Sequence, residues 1–94
     1  MIGIDQLAVR KEEKMHLDIL TPEKKIYSGE ASSVTLPGTE GWFQVLNNHA
    51  PLISSLKAGT IMFRTAGGET RVNAKEGFVE VLKNKVTVLV EGAE

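Results

Sequence analysis

Few residues in this chain could do chemistry, and their spacing excludes most reactions. Two histidines, twelve carboxylates, one tryptophan and nine glycines make up the inventory. Neither His16 nor His49 falls in a metal-ligand spacing such as H-E-x-x-H. With no cysteine, the chain has no disulfide, thiolate nucleophile or Cys-based zinc site, and its redox compartment stays undecided. His16 lies on the polar side of an alternating stretch and reads as solvated. His49 sits between Asn47-Asn48 and Ala50-Pro51, a loop setting that suits either a turn-stabilising hydrogen bond or a partner contact. There is no G-x-S-x-G elbow and no G-x-x-x-x-G-K-[ST] cradle for phosphate. Gly38, Gly41, Gly67, Gly68 and Gly77 are all explained as turn residues. Each carboxylate stands in a charged or turn context, and none in the apolar setting that raises a pKa for acid–base work. The residues therefore predict no catalytic, metal or nucleotide site and no cofactor, which favours a binding or structural role.

Trp42 is the aromatic to weigh. Phe63 and Phe78 fit core positions, and the five aromatic residues are too scattered for a base-stacking platform. Phe43 and Val45 set the inward parity of their segment, so Trp42 and Gln44 point outward. An outward tryptophan beside a glycine-rich turn is either packed under a neighbouring loop or part of a partner surface.

The elements that must position these residues are short and extended. Met15, Leu17 and Ile19 alternate with His16 and Asp18, and Thr21-Pro22 ends the run. Further stretches follow at residues 26–30, around Val34 and Leu36, at Phe43 and Val45, at Ile61 and Phe63, around Val72, at residues 78–82 and at residues 86–90. Gly67-Gly68 predicts a two-residue hairpin turn, and Lys83-Asn84-Lys85 a second. No long window keeps helical periodicity with caps. The count of about nine or ten strands, rich in Val, Ile and Thr, predicts one β-sandwich over residues 15–94. Residues 1–14 differ: a broken apolar start is followed by the charged run RKEEK, the pattern of a flexible extension or added leader. That order of charges is not a secretory signal, and no stretch approaches the roughly 18–20 apolar residues of a membrane span. A formal charge of −1, from 11 basic and 12 acidic residues, argues against a grip on nucleic acid. A soluble domain is expected.

The string LPGTEGWFQVLNNHAPLISSLKAGTI, residues 36–61, resembles the N-terminal domain of the epsilon subunit of rotary ATP synthases. HLDILTPEKKIYSGEASSV before it and GFVEVLKNKVTVLVE after it resemble that family's opening run and final hairpin. The resemblance implies an all-β, ten-stranded antiparallel sandwich of two sheets. It implies a non-catalytic rotor subunit of the central stalk, holding the gamma subunit and resting on the c-subunit ring, so that proton or sodium flow is coupled to ATP synthesis. The partners would be those two, with no small-molecule substrate and no direct insertion into the membrane. The location would be peripheral, on the cytoplasmic face of a bacterial inner membrane. By position, Thr39, Glu40, Gly41, Trp42, Asn48 and His49 would face the ring. This chain has Trp42 where many relatives carry Glu or another polar residue, and Asn47-Asn48 where many carry Pro-Gly.

Longer relatives continue into a C-terminal helical hairpin that inhibits hydrolysis and in some cases holds ATP. This chain stops at Glu94, either naturally short or truncated, and is expected to do neither. The rival from another class is a free-standing β-sandwich ligand-binding module, which would need several side chains converging on a concave site.

Because every period-two segment lies beyond residue 14, deleting residues 1–14 should shift the melting temperature by only a few degrees. Loss of cooperative unfolding in a thermal melt would place those residues inside the fold.

Overall fold

The computed structural model describes residues 14–94, so the expected leader lies outside the described residues save for Lys14. Nine strands follow one another: β1 (Met15–Leu20), β2 (Lys25–Ala31), β3 (Ser33–Gly38), β4 (Gly41–Leu46), β5 (Leu52–Leu56), β6 (Gly59–Thr65), β7 (Gly68–Ala74), β8 (Gly77–Leu82) and β9 (Lys85–Val90). Alternation makes them half-buried. Met15, Leu17 and Ile19 of β1 point inward while His16 points out. Val79 and Val81 of β8, and Val86, Val88 and Val90 of β9, do the same on their strands.

The strands form one hydrogen-bonded path, β2-β1-β9-β8-β5-β3-β6-β7, with β4 on β3. The path folds into two layers, β2-β1-β9-β8-β5 and β4-β3-β6-β7. A single register pair, Gly38↔Leu56, joins them. Beside it the Thr39 N–H donates to the Ser55 carbonyl at 3.1 Å and the Lys57 N–H to the Pro37 carbonyl at 2.9 Å. The inward sets meet as one apolar core that includes Leu17, Ile19, Val34, Leu36, Val45, Ile61, Phe63 and Val88. At the open side, Tyr27 of β2 lies over Gly29 and stacks against Phe63 of β6, with ring centroids 4.6 Å apart. That aromatic pair ties the two layers together opposite the Gly38 joint.

Three features differ from the expected ten antiparallel strands in two sheets. Nine strands form among the described residues, and residue 93 adds the isolated bridge Ala74↔Ala93. The two layers share the Gly38 joint, so they are continuous. β1 runs parallel to β9, with Leu17 opposite Val86 and Ile19 opposite Val88. Almost the whole domain separates those two strands in sequence, so no tight turn imposes an antiparallel direction on them. The all-β sandwich architecture is as read.

Smaller corrections concern side chains and turns. Phe78, expected in the core, is exposed because Val79 and Val81 hold the inward parity of β8. β5 was not anticipated, since Ile53 faces out and Ser54 faces in, opposite to an apolar-inward pattern. The β6–β7 turn is Ala66-Gly67, closed by the pair Thr65↔Gly68, one residue earlier than expected.

Phe63 is 2 % exposed. Phe63→Ala removes both core volume and the Tyr27 stack, and should cost roughly 3–5 kcal/mol in urea unfolding. A cost below about 1 kcal/mol would remove Phe63 from the core.

Candidate docking surfaces

The residues marked by the sequence all lie on or just beyond β4, at its two ends. Thr39 and Glu40 form the exposed β3–β4 turn, and Gly41 closes it at φ 136°. Gly38 has no room for a side chain there, since a Cβ would sit 2.8 Å from the Gly41 carbonyl oxygen and 2.9 Å from Phe43 Cε1. Trp42 is 55 % exposed. Its register partner is the buried Pro37, and its ring tip reaches to within 4.0 Å of where a Cβ on Gly59 would stand. The ring tip thus lies against the start of β6 while over half of the side chain is exposed.

Asn48 and His49 lie past the opposite end of the strand, about 20 Å away for six residues of extended chain. The structure therefore brings Thr39, Glu40, Gly41 and Trp42 together, and Asn48 and His49 together, but spreads the two groups along one strand. His49 is half-buried, and its Nδ1 is 2.8 Å from the Ala50 carbonyl, which selects the tautomer that donates from Nδ1. Its main-chain N–H donates to the Leu46 carbonyl at 3.1 Å.

What fixes this loop is Asn84, which the sequence reading saw only as a turn residue. Lys83 and Asn84 occupy φ 50° and 62°, the two-residue turn that matches strand twist. The Asn84 side-chain oxygen accepts the Asn48 N–H at 2.8 Å, and its amide donates to Asn47 Oδ1 at 2.7 Å and to the Lys14 carbonyl at 3.0 Å. Its main-chain carbonyl accepts the His16 N–H at 3.1 Å. One side chain thereby binds the start of β1, the β4–β5 loop and the β8–β9 turn.

A second surface was missed by sequence reasoning. On the outer face of the five-stranded layer, Ile53 is 74 %, Phe78 58 % and Leu89 51 % exposed. Phe78 pairs with Leu89 across β8–β9, and Ile53 stands one row further along, opposite Glu80. An open groove of about 550 Å³ runs beside them, lined by Leu20, Pro22, Leu56, Phe78, Leu89 and Val90 among others. The parity signal was present: Phe78, Glu80 and Leu82 share a face that the glutamate marks as outward.

Asp18 is held below the usual carboxylate range chiefly by a hydrogen bond from the Ser28 side chain, with His16 and Lys85 assisting and burial opposing. No helix among the described residues is long and apolar enough to cross a membrane.

The fold is an all-β sandwich that presents an exposed tryptophan beside a hairpin turn and an apolar outer face. Residues 14–94 match the family model described as ATP synthase, Delta/Epsilon chain, beta-sandwich domain, and the chain belongs to that family. It is 45 % identical over 83 residues to the ATP synthase epsilon chain of Pelotomaculum thermopropionicum, covering 88 % of this chain and 62 % of that protein. Against the ATP synthase epsilon chain of Desulfatibacillum aliphaticivorans it is 48 % identical over 79 residues, covering 83 % and 56 %. The chain thus spans about three fifths of the length of these relatives. Among solved structures, a chain of the Euglena gracilis mitochondrial ATP synthase OSCP/F1/c-ring assembly superposes with a TM-score of 0.82 at 20 % identity, over 87 % of this chain and 53 % of that one. A chain of the Tetrahymena thermophila mitochondrial ATP synthase central stalk and c-ring gives 0.74 at 20 % identity, over 88 % and 67 %. These two likenesses bear on the fold.

Two outcomes follow from this geometry. Asn84→Gly keeps the turn but removes the amide, so it should cost on the order of 1 kcal/mol and speed exchange of the Asn48 amide hydrogen about tenfold or more. Unchanged exchange would show that the loop is held elsewhere. A folded-state pKa below the unfolded one stabilises above the unfolded value, near 3.9, and the gain is lost as pH falls through the folded value. Relative to Asp18→Asn, the parent chain should therefore lose its advantage in denaturant melts only under acid conditions.

Proposed function

We propose that this domain is a non-catalytic docking unit in the rotor of a rotary ATP synthase, linking the gamma subunit to the c-subunit ring. In that role it helps couple proton or sodium flow to ATP synthesis. The observation that carries the reading is the pairing of a large exposed apolar face with family membership. The relatives named ATP synthase epsilon chain and the central-stalk assembly of Tetrahymena thermophila support it.

The two surfaces divide the work by chemistry. The face carrying Ile53, Phe78 and Leu89 is apolar enough for the long-lived contact, which suits the gamma subunit. The β4 side carries Thr39, Glu40, Gly41 and Trp42 at one end and Asn48 and His49 at the other. That mixture of one aromatic anchor and polar groups suits the loops of the ring, with β4 lying along them. The domain would then work peripherally, at the cytoplasmic face of a bacterial inner membrane.

The test is retention of a purified gamma subunit and c-ring on the immobilised chain. Phe78→Asp should abolish gamma retention without moving the melting temperature by more than a few degrees. Trp42→Ala should leave the fold intact and weaken ring binding by about 2 kcal/mol, with poorer coupling of ion flow to synthesis in the assembled enzyme. Binding to glycans alone, with neither subunit retained, would instead point to a free-standing ligand module.

A further inference from the structure

The layer β4-β3-β6-β7 ends at β4, which pairs only with β3. Which backbone groups of β4 are free follows from Pro37. Proline has no N–H, and the Pro37 carbonyl is turned to the Lys57 N–H at 2.9 Å, on the side away from β4. Pro37 and its partner Trp42 are therefore a non-hydrogen-bonded pair, and by alternation so are Thr35 with Gln44 and Ser33 with Leu46. The N–H and C=O groups of Trp42, Gln44 and Leu46 all face the open edge. Only the Leu46 carbonyl has a described partner there, the His49 N–H.

Open edges are normally blunted by charge, proline or bulges. The other two follow that rule. β2 carries Lys25 and Glu30 and meets a register shift against β1, and β7 carries Glu69 and Arg71 and is covered near Asn73 by residue 94. β4, reading GWFQVL, has no charge, no proline and no bulge, and it exposes Trp42 and Leu46.

The edge is also complementary to itself. In an antiparallel pair of β4 strands centred on Gln44, Trp42 of each copy stands opposite Leu46 of the other. The two Gln44 side chains meet on the axis, and Phe43 stands opposite Val45. Gln44 then exchanges both backbone bonds with its counterpart. Trp42 and Leu46 do the same across the pair, with the Leu46 carbonyl shared with His49. Aromatic–aliphatic cross-strand pairs stabilise such a seam, and no like charges oppose one another.

We infer that, free of its assembly, the chain self-associates through β4 into a two-fold dimer whose eight-stranded layer crosses the interface. The contact offers three outward side chains per copy, far below the roughly 20–30 residues of a standard interface, so the dimer is weak and reversible. The same edge carries Trp42, so dimer formation and any docking through β4 exclude each other. The inference needs only the edge geometry and stands whether or not the rotor reading holds.

Sedimentation of the isolated chain from roughly 10 µM to 1 mM is the test, read together with Trp42 fluorescence. A concentration-dependent monomer–dimer equilibrium with a tryptophan shift on dimerisation is expected. Gln44→Lys sets two like charges face to face on the axis and should raise the dissociation constant at least about tenfold. Gln44→Glu should do the same, whereas an equal mixture of the two variants should regain the dimer as a mixed pair. Gln44 is exposed, and a thermal melt of each variant confirms folding. A chain monomeric throughout, a dimer indifferent to Gln44→Lys, or a mixture no better than either variant alone would each overturn the inference.

Discussion

The joint at Gly38 is the constraint on which the remaining geometry depends. The register pair with Leu56, flanked by the Thr39–Ser55 and Lys57–Pro37 backbone bonds, is where a strand of one layer pairs with a strand of the other. It makes β3 serve two neighbours along the edge away from β4: Val34 and Thr35 pair with β6, while Gly38 turns to β5. The close approach leaves no space for a Cβ at Gly38, against Gly41 on one side and Phe43 on the other. Pro37, immediately before, has its carbonyl committed to Lys57, which fixes the parity of β4 and so points Trp42 out and Phe43 in. Exposure of the tryptophan and openness of the β4 edge are thus two consequences of one backbone arrangement.

The two outer faces differ in kind. On the four-stranded layer, Glu69 lies between Arg64 and Arg71, at 3.5 and 3.3 Å, with Thr60 bonded to Asn73. Such exposed pairs contribute little to stability, but they keep this face hydrated and unattractive to an apolar partner. On the five-stranded layer the row Phe78–Leu89 has no such cover. A small domain gains nothing for its own core from an outward phenylalanine, since Val79 and Val81 already fill the inward positions of β8.

Much of this was legible in the sequence, and for a physical reason. Where one side of a strand alternates cleanly, as in β1, β4 and β9, period-two reading places every side chain correctly, Trp42 included. It failed where residue type and parity disagree. Phe78 looked like core because it is aromatic, although Glu80 two residues on marks its face as outward. β5 was lost because LISSL puts Ile53 outside and Ser54 inside. The parallel β1–β9 pair and the Gly38 joint are long-range pairings that no local pattern encodes. The sequence resemblance set Trp42 and His49 on one surface, and the structure places them at opposite ends of β4.

Asn84 illustrates why the corner near His49 could not be read from spacing alone. Its neighbours in the hydrogen-bonded cluster are Lys14, Asn47 and Asn48, so the contacts span 70 residues in one direction and 36 and 37 in the others. In the turn before His49-Ala50-Pro51-Leu52, Asn48 takes the left-handed conformation at φ 65°. Glycine would supply that backbone shape without any side chain. Here Asn47 supplies a side-chain oxygen that Asn84 binds, so the loop is held by a link to the β8–β9 turn as well as by its own dihedral preference. Replacing a locally preferred turn by a tertiary clamp ties the position of His49 to the ends of β1 and β8. The loop is thereby joined to the five-stranded layer through Asn84, whose side-chain amide donates to the Lys14 carbonyl and whose main-chain carbonyl accepts the His16 N–H.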